Sequence, residues 1–162
     1  MTDSIPMQPY QGFTIIELLV TIILVGILAS TAIPMTELVV QRGHEQELRE
    51  ALRTIRAAID AYKQAGDEGR IRRSVDESGY PSSLDELMGV PDLKNPKGGL
   101  IRFLRRTPRD PLNQDSSLPA NKAWGMRSYE SSNLNPQMGR DIFDVYSLAP
   151  GKGLNGIRYK EW

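Results

Sequence analysis

Residues 13–35, FTIIELLVTIILVGILASTAIPM, are apolar all round, and no charged side chain occurs from residue 18 to residue 35. As a helix, that uncharged run rises to roughly 27 Å, close to the hydrocarbon thickness of a bilayer. The pattern therefore predicts a membrane-spanning helix over 13–35. Beyond it the periodicity changes. Leu48, Leu52, Ile55, Ile59 and Tyr62 recur at spacings of 4, 3, 4 and 3, which draws one apolar stripe on an otherwise charged helix over 36–66. Glu45 and Arg49 lie at i,i+4, as do Arg56 and Asp60, so these charges read as a solvated face laced with pairs. Gly66 and Gly69 close the helical pattern. Unbroken from Thr14 to Gln64, such a helix would extend roughly 75 Å. Pro34 removes a backbone donor and predicts a kink or local melting, and Gly43 is a second weak point costing about 1 kcal/mol relative to Ala.

From residue 67 the chain becomes richer in turns. SGYPSSLDELMGV predicts a turn at Gly79-Tyr80-Pro81 and a short helix capped by Ser82 or Ser83, with Glu86 at capping-box spacing from Ser83. GGLIRFLRRTPRDPLN is a short apolar-basic segment stopped by prolines. AWGMRSYES and DIFDVYSLA are the two strand candidates; in the second, Ile142, Asp144 and Tyr146 alternate with Phe143, Val145 and Ser147. Short strands need a second layer, so the expectation is an α+β fold: a small antiparallel sheet in residues 67–162, packed on the distal half of the long helix.

Composition narrows the chemistry. The 162 residues include no cysteine, which removes disulfides and thiolate sites, and a single histidine, His44, read as a surface residue. No Lys or Arg precedes Arg42; residues 36–162 carry 20 basic and 18 acidic side chains (20 acids in all, less Asp3 and Glu17). That is a mixed surface rather than a field for nucleic acid. The basic runs RIRRS and IRFLRRTPRD, with Phe103, make the best case for phosphate contact and base stacking, but Asp76 and Asp110 lie close by in sequence. GKGLNG, residues 151–156, matches a glycine-rich phosphate pattern literally, yet only six residues follow it, which leaves no room for the required helix and acid.

Glu17 is the anomaly of the apolar run. An ionised carboxylate deep in lipid costs about 2.5–3.5 kcal/mol, whereas at the headgroup level a helix N-terminus accommodates it. A cation meeting it inside the apolar layer would have to come from elsewhere, and cleavage between Gly12 and Phe13 would create one, the new α-amino group.

GFTIIELLVTIILVGILASTAIP, with Gly12, Phe13, Glu17 and Pro34, resembles the N-terminal signature of type IV pilins and of the pseudopilins of type II secretion systems. The leader, residues 1–12, lacks the Lys or Arg that such leaders place before the glycine. The resemblance implies that prepilin peptidase cleaves between Gly12 and Phe13 and methylates Phe13. It further implies that Glu17 pairs with the terminal amine of a neighbouring subunit during assembly. It implies a single-pass protein of the bacterial inner membrane with its C-terminal domain in the periplasm. Its partners would be membrane lipid, an assembly platform, other pseudopilins and its own copies in a filament. Tyr80-Pro81, FLRRTPRDP and FDVYS look like the major pseudopilin branch, which has no disulfide and holds calcium in a loop between the late strands. Asp144 is the residue that maps onto such a ligand, with Asp141 as its substitute companion.

The expected function is thus a structural subunit of a secretion pseudopilus. The alternatives are a type IV pilin or minor pilin for adhesion, twitching or DNA uptake, and a membrane-anchored enzyme. If Pro34 provides the flexibility that lets subunits leave the bilayer, Pro34→Ala slows extraction and assembly; unchanged rates in a reconstituted assembly assay would remove that role.

Overall fold

The computed structural model describes residues 12–74, 76–113, 115 and 117–162, with the side chains of residues 31–35 excluded. The chain divides into two compact units, Met1–Val40 and Gln41–Trp162. Helix α1 (Ile15–Asp67) contributes to both and remains helical through position 34 and through Gly43. The expected melting at position 34 does not interrupt it; the Pro34 side chain lies outside the described residues.

The second unit is α+β. Its core is the stripe read from the sequence: Leu48, Ile55 and Ile59 are fully buried, and Leu52 and Tyr62 nearly so. Against them pack Leu84, Leu87, Leu104, Trp124, Ile142 and Val145. Truncating a fully buried Leu or Ile at such a site costs about 2–5 kcal/mol, which makes this stripe the foundation of the domain.

Among the described residues, two two-stranded antiparallel ladders, rather than one sheet, cover the helix. Strand β1 (Val90–Pro91) pairs with β2 (Leu100–Ile101). Strand β3 (Trp124–Arg127) pairs with β4 (Asp144–Ser147), in the register Trp124 to Ser147 and Arg127 to Asp144. The second ladder joins the two segments predicted as strands. The first escaped the sequence reading because a two-residue strand has no room to show alternation. In β4, Val145 and Ser147 point inward, while Asp144 and Tyr146 are half-buried.

Polar anchors fix the connections. Asp110, buried, accepts hydrogen bonds from the Ser147 hydroxyl at 2.5 Å and the Leu112 N–H at 2.9 Å. The Trp124 indole donates to the Pro108 carbonyl at 2.9 Å. Together they hold the proline-flanked segment onto the β3–β4 ladder. The 3-10 turn Leu84–Met88 starts at Ser83, whose side chain makes no capping bond. Glu86 instead receives the Ser82 N–H and hydroxyl and the Tyr62 hydroxyl, so the expected capping box becomes a tie to α1.

Helix α1 stops where the glycines predict. The Arg70 N–H reaches back to the Ala65 carbonyl and the Gly69 N–H to Gly66, the paired bonds of a left-handed helix end, with Gly69 at φ 70°. Gly69→Ala is therefore expected to lower the unfolding free energy by about 1–2 kcal/mol. Gly66→Ala, at a helical position with room for a Cβ, should be neutral or stabilising. Urea denaturation of the two variants checks the contrast.

Candidate functional site

The N-terminal end of α1 is built by its own sequence. Thr14 precedes the helix; its hydroxyl accepts the Glu17 N–H at 3.3 Å and its carbonyl accepts the Leu18 N–H at 3.1 Å. Glu17 thus occupies the third helical position, where a carboxylate faces the positive end of the helix dipole. Among the described residues Glu17 has no ion-pair partner, and Arg42 is the first cation in the sequence. Gly12 and Phe13 are exposed, Phe13 at 84%.

Around this acid the helix exposes apolar side chains on every face, among them Ile15, Ile16, Leu18, Leu19, Ile22, Ile23 and Leu24. A contiguous surface of this kind marks contact with lipid or with other protein. Its hydroxyls are already satisfied: Thr21 donates to the Leu18 carbonyl and Ser30 to the Ile27 carbonyl, each at 2.8 Å. Among the described residues no helix is long and apolar enough to cross a membrane. The described side chains of this run stop at Ser30.

The aspartates singled out from the sequence stand in two separate polar networks. Asp144 is shared between two arginines: Arg56 Nε donates to one carboxylate oxygen at 2.7 Å and Arg127 Nη2 to the other at 3.1 Å. Asp141 accepts the Ser128 hydroxyl at 2.6 Å, the Tyr129 N–H at 3.1 Å and the Ser78 hydroxyl. Burial pushes the Asp141 carboxyl up, but these bonds outweigh it and hold it below the usual carboxylate range. Calcium does not fit these residues as they stand. A hard cation needs six to eight oxygens, and here the carboxylate oxygens are turned toward donors, two of them guanidinium groups. Among the described residues no three His, Asp or Glu side chains gather in a cluster that could hold a metal.

Two charges of α1 that read as solvent-facing do other work. Glu45 is buried at 4% exposure, and its Oε1 accepts the Leu154 N–H at 2.8 Å, the Gln41 amide at 3.1 Å and the Tyr159 hydroxyl at 3.2 Å. Arg49 stays 4.0 Å from it. Arg56, expected to pair with Asp60, reaches across to Asp144. One signal could have revealed Glu45: it lies three residues before Leu48 and so continues the apolar stripe. His44 is surface-exposed, 3.7 Å from Glu47.

Two arginines of RIRRS and the aromatic ring of IRFLRRTPRD are committed as well. Phe103 packs edge-on against Tyr62 at 5.7 Å between ring centres, while Arg70 pairs with Asp92 and Arg73 with Asp67. GKGLNG forms a turn closed by the Gly153 N–H on the Ile157 carbonyl and the Gly156 N–H on Gly153.

Residues 7–33 match the prokaryotic N-terminal methylation motif. The chain is 30% identical over 152 residues to the type II secretion system core protein G of Klebsiella pneumoniae, covering 89% of this chain and 87% of that protein. It is 28% identical to the core protein G of Pectobacterium carotovorum, covering 86% and 76%. With that of Vibrio cholerae it shares 28% identity over 67% and 70% of the two chains. No solved structure matches.

A depressed carboxyl stabilises the fold above its ordinary value of 3.8, and the contribution disappears as pH falls through the folded value. Wild type should therefore lose stability below about pH 4 more steeply than Asp141→Asn. Thermal unfolding at stepped pH measures both slopes; parallel curves would show that the Ser78–Asp141–Ser128 network does not hold the ionised form.

Proposed function

Because this chain belongs to the family of the type II secretion system core protein G, we propose that it is a pseudopilin whose α1 both anchors and polymerises it. The observation that carries the reading is a methylation motif laid over an all-round apolar helix with one acid in its first turn. Residues 13–35 insert in the bacterial inner membrane, and the domain from residue 41 onward lies on the periplasmic side. The satisfied Thr21 and Ser30 hydroxyls suit lipid, where an unpaired polar group is expensive.

Prepilin peptidase cuts between Gly12 and Phe13, and the new amine on Phe13 is methylated. Methylation of that amine keeps its charge. Glu17, left alone in an apolar layer, carries a penalty of about 2.5–3.5 kcal/mol. Pairing with the Phe13 amine of an adjoining copy offsets it, so the acid is tolerated in the membrane and satisfied in the filament. The same pairing sets the axial register between copies, because a buried ion pair tolerates little displacement. The role is structural: the subunit supplies a polymerising surface and no reaction of its own.

Glu17→Gln keeps the shape of the side chain and removes its charge. It should leave membrane insertion intact and cut incorporation into filaments on the order of tenfold or more, the equivalent of losing about 1.4 kcal/mol or more per contact. Mass spectrometry of assembled material should find a chain beginning at methylated Phe13. Normal filaments from the Gln variant, or an intact Met1 in assembled material, would overturn the proposal.

A further inference from the structure

We infer that the segment following β4 is fastened to α1 by an internal guanidinium and a buried carboxylate in place of a bound calcium ion, so that the domain folds alike with or without calcium. The inference concerns residues 41–162 and stands apart from the assembly reading.

Arg56 gathers an oxygen set of the kind a hard cation collects. It donates to the Asp144 carboxylate at 2.7 Å, to the Val145 carbonyl at 3.1 Å and to the Trp162 main-chain oxygen at 2.6 Å. These oxygens come from two places along the chain, β4 and Trp162, so one guanidinium ties both to the helix. Arg127 takes the other Asp144 oxygen. A divalent ion brought to Asp144 would thus meet two fixed positive charges before it met its ligands, and at such distances like-charge repulsion outweighs the gain from one carboxylate.

The segment itself offers a cation little. Residues 148–162 contain one acid, Glu161, which is exposed, against Lys152, Arg158 and Lys160. What holds this basic segment is an anion on the helix. Glu45 accepts the Leu154 N–H and the Tyr159 hydroxyl, while Arg56, on the same helix, takes the Trp162 main-chain oxygen. The two attachments are complementary: an acid for the segment's donors and a base for its acceptor. Between them the Trp162 ring lies 4.5 Å from the Arg49 guanidinium and 5.2 Å from the Tyr159 ring. Gly153 permits this packing, because a Cβ there would run into the Trp162 ring.

The test uses the full chain in detergent micelles, with amide exchange at Leu154 and the thermal midpoint read in millimolar calcium and in chelator. Wild type should give the same protection and midpoint in both. Glu45→Gln, which removes the charge that accepts the Leu154 N–H, should speed exchange there on the order of tenfold in both conditions, as expected for loss of a charge-assisted hydrogen bond. A saturable calcium titration of wild type, or a midpoint that rises with calcium, would overturn the inference. So would a Glu45→Gln chain whose exchange matches wild type. If that variant does not fold, the calcium titration of wild type decides alone.

Discussion

Strands of two to four residues do not hold together in water by themselves, and the β1–β2 and β3–β4 ladders depend on the apolar stripe of α1. Leu48, Leu52, Ile55, Ile59 and Tyr62 form one wall of the core, and most buried apolar side chains from residue 71 onward complete it. The remaining architecture consists of ways to keep short, turn-rich segments pressed against that wall. Asp110 does this for the proline-flanked segment, Glu86 for the 3-10 turn, and Glu45 with Arg56 for the last residues.

One helix therefore meets two surroundings with two patterns. Residues 15–30 present apolar groups all round and satisfy their hydroxyls internally, the pattern of a surface made for lipid or for copies of itself. Residues 45–62 concentrate their apolar groups on one side and leave most charges to solvent. The two polar exceptions along that second stretch, Glu45 and Arg56, are the points where the helix holds the end of the chain. A small domain without disulfides needs such fastenings, since its core alone leaves the peripheral segments weakly held.

A polar staple and a metal staple solve the same problem at different cost. A metal contributes a large binding energy but requires a cage of oxygens, to which a segment with one acid and three bases brings little negative charge. Paired side chains contribute less each and rely on being partly shielded from water. Arg56 and Asp144 are partly covered, with 36% and 25% of their side chains exposed, so their attraction is screened less than that of a fully exposed pair.

Local sequence pattern made the long helix, its end at Gly66 and Gly69, its buried stripe and the β3 and β4 segments legible. Each depends on short-range sterics or on a spacing that repeats within the sequence. Glu17 stood out for the same local reason, a charge in an apolar run. The fate of individual charges was not legible. Glu45 and Arg56 look like any other helix-surface residues, because their partners, Leu154, Tyr159, Asp144 and Trp162, lie about ninety to over a hundred positions away. A hydrogen bond or ion pair is chosen by distance in space, which only the packed fold decides, and that is why Asp144 faces two arginines.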